Sequence, residues 1–296
     1  FLVSWVAAAA LGAERKAEPA RTNTAADAVS ASVVEPNTAS PLRLGTNVLA
    51  AHRILRFLAP LNAYAKAQLP RLGVTATVAF GAMAFPEGWD AGRPVPILVV
   101  CSPSGAPAIP QLAAYTNAAL SAGWAVVAGD GPRVPPDRDS VLWNWGMVSS
   151  VLEYVQITLP RARAWPVAVA GFSGGAKRAA CVAAAFAEAR RPVWGVFMGG
   201  CNEDKATTGA LLFRAGTAFL GTPMFLSNGN NDPIAGPAAG GSVRTLMERS
   251  GFSNVRAEIY AGGHQLSGDQ LARALSWFAE GKSVAGATAR PVSTLR

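Results

Sequence analysis

The chain has 296 residues, half of them hydrophobic and only 15% charged. That balance excludes an intrinsically disordered chain, and 30 glycines and 21 prolines without a three-residue period exclude a collagen-like fibre. Lysine plus arginine number 26 against 18 acidic residues, but the basic residues are scattered, with no run longer than Arg190-Arg191. The net charge of +8 therefore reads as solubility or weak attraction to an acidic surface, and no nucleic-acid partner is expected.

In chain order, Phe1 to Ala13 is almost wholly apolar and small. Its length suits the apolar part of a signal peptide and is too short for a stable membrane span, so the expectation is an exported protein, secreted or periplasmic; a buried N-terminal helix is the alternative. Residues 14–44, rich in Ala, Glu, Thr, Ser and Pro, read as a flexible linker. Asn47 to Leu69 places Leu49, Ile54, Leu55, Leu58, Leu61 and Tyr64 at mostly helical spacing, which predicts a helix stopped by Pro70 and carrying His52 on its surface.

Strand-like and helix-like blocks then alternate. Val74–Phe80 reads as a strand, 95–101 (VPILVVC) as a fully buried one, and Gln111–Ala122 as a helix ended by Gly123. A buried strand (124–130), a long helix (Ser140–Leu159) and a strand (Pro166–Ala170) follow, then an Ala-rich helix (Gly175–Arg190) and a strand at 193–200. Thr208–Leu220 reads as a helix, Pro223–Ser227 as a strand, Val243–Ser250 as a helix, Val255–Tyr260 as a strand and Asp269–Glu280 as the last helix. This order predicts an α/β fold with a mainly parallel, doubly wound sheet in one domain over 45–282, and a polar tail, 283–296, that frays. About two dozen residues separate the strands at 193–200 and 223–227, too few for a large lid.

Cys101, Cys181 and Cys201 make an odd count without a metal-binding spacing, and two histidines leave little for zinc. They read as small buried hydrophobes, with oxidation of one pair open in an exported protein.

The most informative segment is 166–180, PVAVAGFSGGAKRAA. It holds Gly171-Phe172-Ser173-Gly174-Gly175, a G-x-S-x-G pattern between a buried-type strand and a helix. A serine on so tight a turn needs small residues two before and two after it, and Gly171 and Gly175 supply them. The following helix aims its N–H groups at the turn and favours negative charge on a reacting oxygen. A glycine-rich phosphate-binding turn is the competing reading, but G-x-G-x-x-G is absent and Lys177 does not complete a P-loop.

On these residues the chain resembles the α/β-hydrolase superfamily over roughly 72–281. The resemblance implies a catalytic base on the loop after the last strand, where His264 stands behind Ala261-Gly262-Gly263. It implies an acid after the penultimate strand, where Asp232 follows Asn228-Gly229-Asn230-Asn231; Asp204 and Glu203 are the alternatives. The order Ser173, Asp232, His264 is the one expected of this fold. One oxyanion donor is the N–H of Gly174. The other is expected after the strand at 95–101, where Ser102-Pro103-Ser104-Gly105 replaces the usual His-Gly and Ser104 aligns as donor; Pro103 has no N–H to give. Phe172, Trp143 and Trp145 are candidates to line the substrate cleft, with at most one of the two tryptophans facing it. The implied function is a serine hydrolase acting on a small or polymeric carboxylic ester, with no metal or organic cofactor. A peptidase, an acyltransferase, a polymer-ester hydrolase or an inactive binding protein on the same scaffold are the alternatives.

Overall fold

A computed structural model describes residues 54–89, 93–135, 137–280 and 282. The expected signal segment, the linker, His52 and the tail lie outside the described residues. In chain order the elements are β1 (Leu55–Pro60), α1 (Ala63–Gln68), β2 (Val78–Ala84), β3 (Ile97–Cys101), α2 (Ala108–Ser121), β4 (Ala125–Asp130), α3 (Val141–Thr158) and β5 (Val167–Phe172). There follow α4 (Gly174–Glu188), β6 (Val193–Gly199), α5 (Lys205–Phe213), α6 (Gly216–Leu220), β7 (Met224–Gly229), α7 (Pro237–Arg249), β8 (Val255–Tyr260) and α8 (Gly268–Ala279).

The strands form one sheet in the order β1-β2-β4-β3-β5-β6-β7-β8. β2 runs antiparallel to both β1 and β4, and the remaining neighbours are parallel. Every residue of β3 and β4 is buried, as helices on both faces require. Successive side chains alternate between the faces. Leu98 and Val100 meet Leu112 of α2 and Leu271 and Phe278 of α8, whereas Ile97 and Val99 join the core containing Val151 of α3 and Val182 of α4. This is the doubly wound α/β sheet that the alternation of blocks implied.

Two elements differ from expectation in kind or continuity, while β2, α2 and α7 differ in their bounds. Residues 55–60 are a strand, not helix. Phe57 and Ala59 are buried with a period of two, and the segment pairs with β2 from Leu55↔Met83 to Pro60↔Val78. Leu55, Leu58 and Leu61 satisfy a helical spacing, but Leu55, Phe57 and Ala59 also satisfy a strand's, and the open edge of β2 decides between them. Gly81 fits this pairing, because a Cβ there would stand 2.4 Å from the ring of its partner Phe57. The helix expected over 208–220 is broken into α5 and α6, where Arg214 (φ 54°) and Gly216 (φ 68°) turn the chain left-handed. The connection between β6 and β7 stays short, and no large lid stands in it.

Candidate active site

The turn from β5 into α4 carries Ser173 at φ 55°, ψ −123°, a conformation that residues with a Cβ rarely adopt. The turn survives because its surroundings hold it. The Ser173 N–H donates to the carbonyl of Gly199 at 2.8 Å, and its own carbonyl accepts from Ala176 N–H at 3.0 Å. A Cβ on Gly171 would lie 2.1 Å from the carbonyl oxygen of Gly175 and 2.6 Å from the nitrogen of Ala176. A Cβ on Gly175 would lie 2.5 Å from the carbonyl oxygen of Cys101. Both obstacles are backbone and cannot swing aside. Gly171→Ala is therefore expected to destabilise the fold by about 3 kcal/mol or more, at the upper end of overpacking costs. Gly268→Ala, where a Cβ meets nothing within 4 Å, is the control, and denaturant midpoints check the difference.

Ser173, Asp232 and His264 converge at the C-terminal ends of β5, β7 and β8. His264 Nε2 stands 3.0 Å from Ser173 Oγ, and His264 Nδ1 stands 2.7 Å from Asp232 Oδ2. The Asp232 side chain is fully buried, while that of His264 remains 19% exposed. Oδ1 of Asp232 accepts from the N–H groups of Ile234 and Ala235, both at 2.8 Å, so the carboxylate is aimed before it meets the histidine. Burial alone would raise this carboxyl, but the Ala235 N–H, the His264 ring and the Ile234 N–H outweigh it and hold the group below its ordinary value. Near neutral pH Asp232 is thus an anion.

The loops bearing acid and base are tied to each other. Asn231 N–H donates to the Gly262 carbonyl at 2.9 Å, and Gly262 N–H donates to Asn230 Oδ1 at 3.0 Å. The Tyr260 hydroxyl reaches the carbonyls of Gly263 and Gln265 across the same bend. Gly229 permits this closeness, since a Cβ there would be 2.4 Å from the Gly262 carbonyl oxygen. The alternative acids are engaged elsewhere. Asp204 caps α5 through the N–H and hydroxyl of Thr207, and Glu203 pairs with Lys177 and Lys205.

The Phe172 ring lies 4.7 Å from that of His264, beside the reacting groups. Trp143 and Trp145 are both buried in the core, and the cavity that Trp145 borders with Ser149, Phe186 and Arg191 includes none of Ser173, Asp232 and His264. Trp145 packs edge-on against Tyr64, Phe186 and Phe213. Both are interior because α3 is covered by α1, β1, β2, β4 and α4, and most of its first half is buried. Gly200 also lies against the catalytic groups. Its φ of 57° and the lack of a side chain let His264 Cε1 and the Phe172 ring pack against it, and the tandem glycine at a strand end was the available signal.

Gly174 opens α4, and its N–H has no partner within the helix. Pro103 lies directly over it, since a Cβ on Gly174 would stand 2.8 Å from Pro103 Cβ. The loop after β3 therefore sits against the serine turn. In that loop the Gly105 N–H is committed to Asp139 Oδ2. The cysteines are all reduced and buried. Burial pushes the thiols of Cys101 and Cys181 up to about 12 and that of Cys201 to about 11, so none is a thiolate nucleophile near neutral pH. Among the described residues no helix is long and apolar enough to cross a membrane.

No protein-family model matches the chain, and no curated protein sequence matches it. Solved structures do. An esterase from Pyrobaculum calidifontis superposes with a TM-score of 0.52 at 15% identity, covering 77% of this chain and 85% of that one. A bacterial heroin esterase gives 0.52 at 14% identity over 76% and 83%, and a thermostable esterase from Pseudomonas putida gives 0.52 at 15% over 79% and 81%. At such identities the likeness is one of fold, and that fold is the α/β hydrolase.

Proposed function

We propose that the chain is a serine hydrolase that cleaves carboxylic esters through an acyl-enzyme. The observation that carries this reading is the unbroken line of contacts from Ser173 Oγ through the His264 ring to Asp232. In the proposed reaction His264 Nε2 takes the serine proton as Oγ bonds to the ester carbonyl carbon. The Asp232 carboxylate keeps the proton of Nδ1 in place and stabilises the imidazolium that forms. The carbonyl oxygen becomes an oxyanion beside the N–H groups of Gly174 and Ser104. His264 then returns the proton to the leaving alcohol. Water attacks the acyl group by the same route in reverse and restores the serine.

The ester, rather than the amide, is favoured by the three similar structures named above, each of them named as an esterase. Export stays part of the proposal on the strength of the apolar segment Phe1–Ala13. The experiment is labelling by a fluorophosphonate probe followed by peptide mapping. Modification at Ser173 is expected, and a chain that stays unlabelled while folded contradicts the proposal. A panel of p-nitrophenyl esters, acetylated sugars and peptide amides then separates esterase from polymer-ester hydrolase and peptidase.

A further inference from the structure

Arg178 lies five residues beyond Ser173 on the Ala-rich helix α4, and only 4% of it is exposed. A guanidinium so deeply placed must have its charge compensated by fixed partners. Its Nη2 donates to Ser104 Oγ at 2.8 Å, to Asp139 Oδ1 at 2.8 Å and to the Asp139 carbonyl at 3.3 Å. Its Nη1 is buried without an acceptor among the described residues, so Asp139 and Ser104 carry most of the compensation. The second oxygen of Asp139, Oδ2, accepts from the N–H of Gly105. The result is a closed ring running Arg178, Ser104, Gly105, Asp139 and back to Arg178.

One side of this ring is fixed in the helix that begins at the nucleophile. The other grips two consecutive residues of the loop expected to supply the second oxyanion donor. Left to itself, that loop would be loose. Gly105 sits at φ +78° with open space around its Cα, and Pro103 contributes no N–H. Neighbouring ties hold its ends: Ser102 Oγ donates to the Ala106 carbonyl at 2.5 Å, and Asp130 accepts from the N–H groups of Ala108 and Ile109 at 2.8 and 2.7 Å. The Ala106 N–H closes the turn onto the Pro103 carbonyl at 3.2 Å, and among the described residues it is the Arg178–Asp139 pair that reaches the middle from outside the loop. An oxyanion donor lowers the barrier only if it is aimed before the charge develops, because reorientation during the reaction would consume the benefit.

We propose that Arg178 and Asp139 are positioning residues that hold the 103–105 turn so that the Ser104 N–H faces the reacting oxygen. The proposal rests on the serine-hydrolase reading above. Gly105 donates its N–H to Asp139, which leaves the Ser104 N–H for substrate.

The test compares the parent with Asp139→Asn and Ser104→Ala on p-nitrophenyl acetate, with phenylboronic acid as a probe that forms a tetrahedral adduct. Ser104→Ala keeps the backbone N–H and removes only the contact to Arg178. Asp139→Asn is expected to lower kcat by about 10- to 100-fold, below the full loss of a donor, with KM little changed. Phenylboronic acid affinity should fall in step with kcat/KM. Ser104→Ala should show the same pattern at about 3- to 10-fold, as loss of one charge-assisted hydrogen bond allows. Folded variants with a lowered Tm but the parent's kcat and boronate affinity overturn the proposal, since a purely structural pair would behave so. If Asp139→Asn fails to fold, Ser104→Ala decides alone, and a parental kcat there overturns it. An inactive, unlabelled parent is a different result: it removes the hydrolase reading itself.

Discussion

Ser173→Ala lowers turnover of p-nitrophenyl acetate by at least about 10³-fold, within the range that loss of a triad serine costs. The size of the effect follows from the lack of a substitute. The three thiols are buried and protonated, and in the serine's absence His264 has no hydroxyl to deprotonate. Water activated by His264 and the remaining oxyanion donors sets the residual rate. The fold should not suffer. Alanine keeps the Cβ, so the strain at φ 55° is unchanged, and the Ser173 hydroxyl has His264 as its hydrogen-bond partner and does not cap α4. The expected change in stability is within about 0.5 kcal/mol. Equal rates for variant and parent, at equal protein concentration and with a fluorophosphonate-silent parent, would remove Ser173 from the mechanism.

The part of the molecule legible in the sequence is the part governed by local rules. β3 and β4 are buried on both faces, so they read as unbroken apolar runs and cannot be mistaken for surface segments. The elbow is legible because its steric demand falls on residues two positions away, Gly171 and Gly175, within one short window. What escaped is set by distant contacts. Residues 55–60 fit helix and strand alike, and the edge of β2 chose the strand. The helix over 243–250 extends back to Pro237 through Gly240 and Gly241, which read as breakers, and Gly240 stands there because a Cβ would meet Asn228 Oδ1 at 2.5 Å. α2 begins at Ala108 rather than Gln111, because Asp130, at the end of another strand, accepts from its first N–H groups. Helical face alone does not place Trp143 and Trp145, because α3 is enclosed on several sides. Arg178 and Asp139 lie 39 residues apart and belong to no motif, so only the folded chain brings them to Ser104.

The same separation in sequence makes the acid the sharpest point at which the site can be tested. Asp232→Asn should reduce kcat by about 10⁴-fold while leaving the fold in place, as the loss of a triad carboxylate does elsewhere. The asparagine oxygen can still accept from the N–H groups of Ile234 and Ala235, at the position Oδ1 now holds. Its NH₂ group then faces His264 Nδ1, which is 2.7 Å from Oδ2 in the parent. Two donors cannot face each other, so the imidazole must carry its proton on Nε2. In that tautomer the nitrogen 3.0 Å from Ser173 Oγ can no longer take the hydroxyl proton. The pH dependence of stability separates this from simple damage. The folded parent holds the Asp232 carboxyl below its ordinary value, so the stabilisation is complete above about pH 3.9 and fades as pH falls through the folded value. An asparagine binds no such proton, and that contribution is absent from the variant's acid limb. Asp204→Asn is the control, because Asp204 serves the first turn of α5. Asparagine caps a helix about as well as aspartate and keeps an oxygen for the Thr207 N–H, so it should cost well under about 1 kcal/mol of stability and leave the rate near the parent's. A large loss of rate in Asp204→Asn together with a parental rate in Asp232→Asn would assign the acid to the preceding strand and break the line from Ser173 to Asp232.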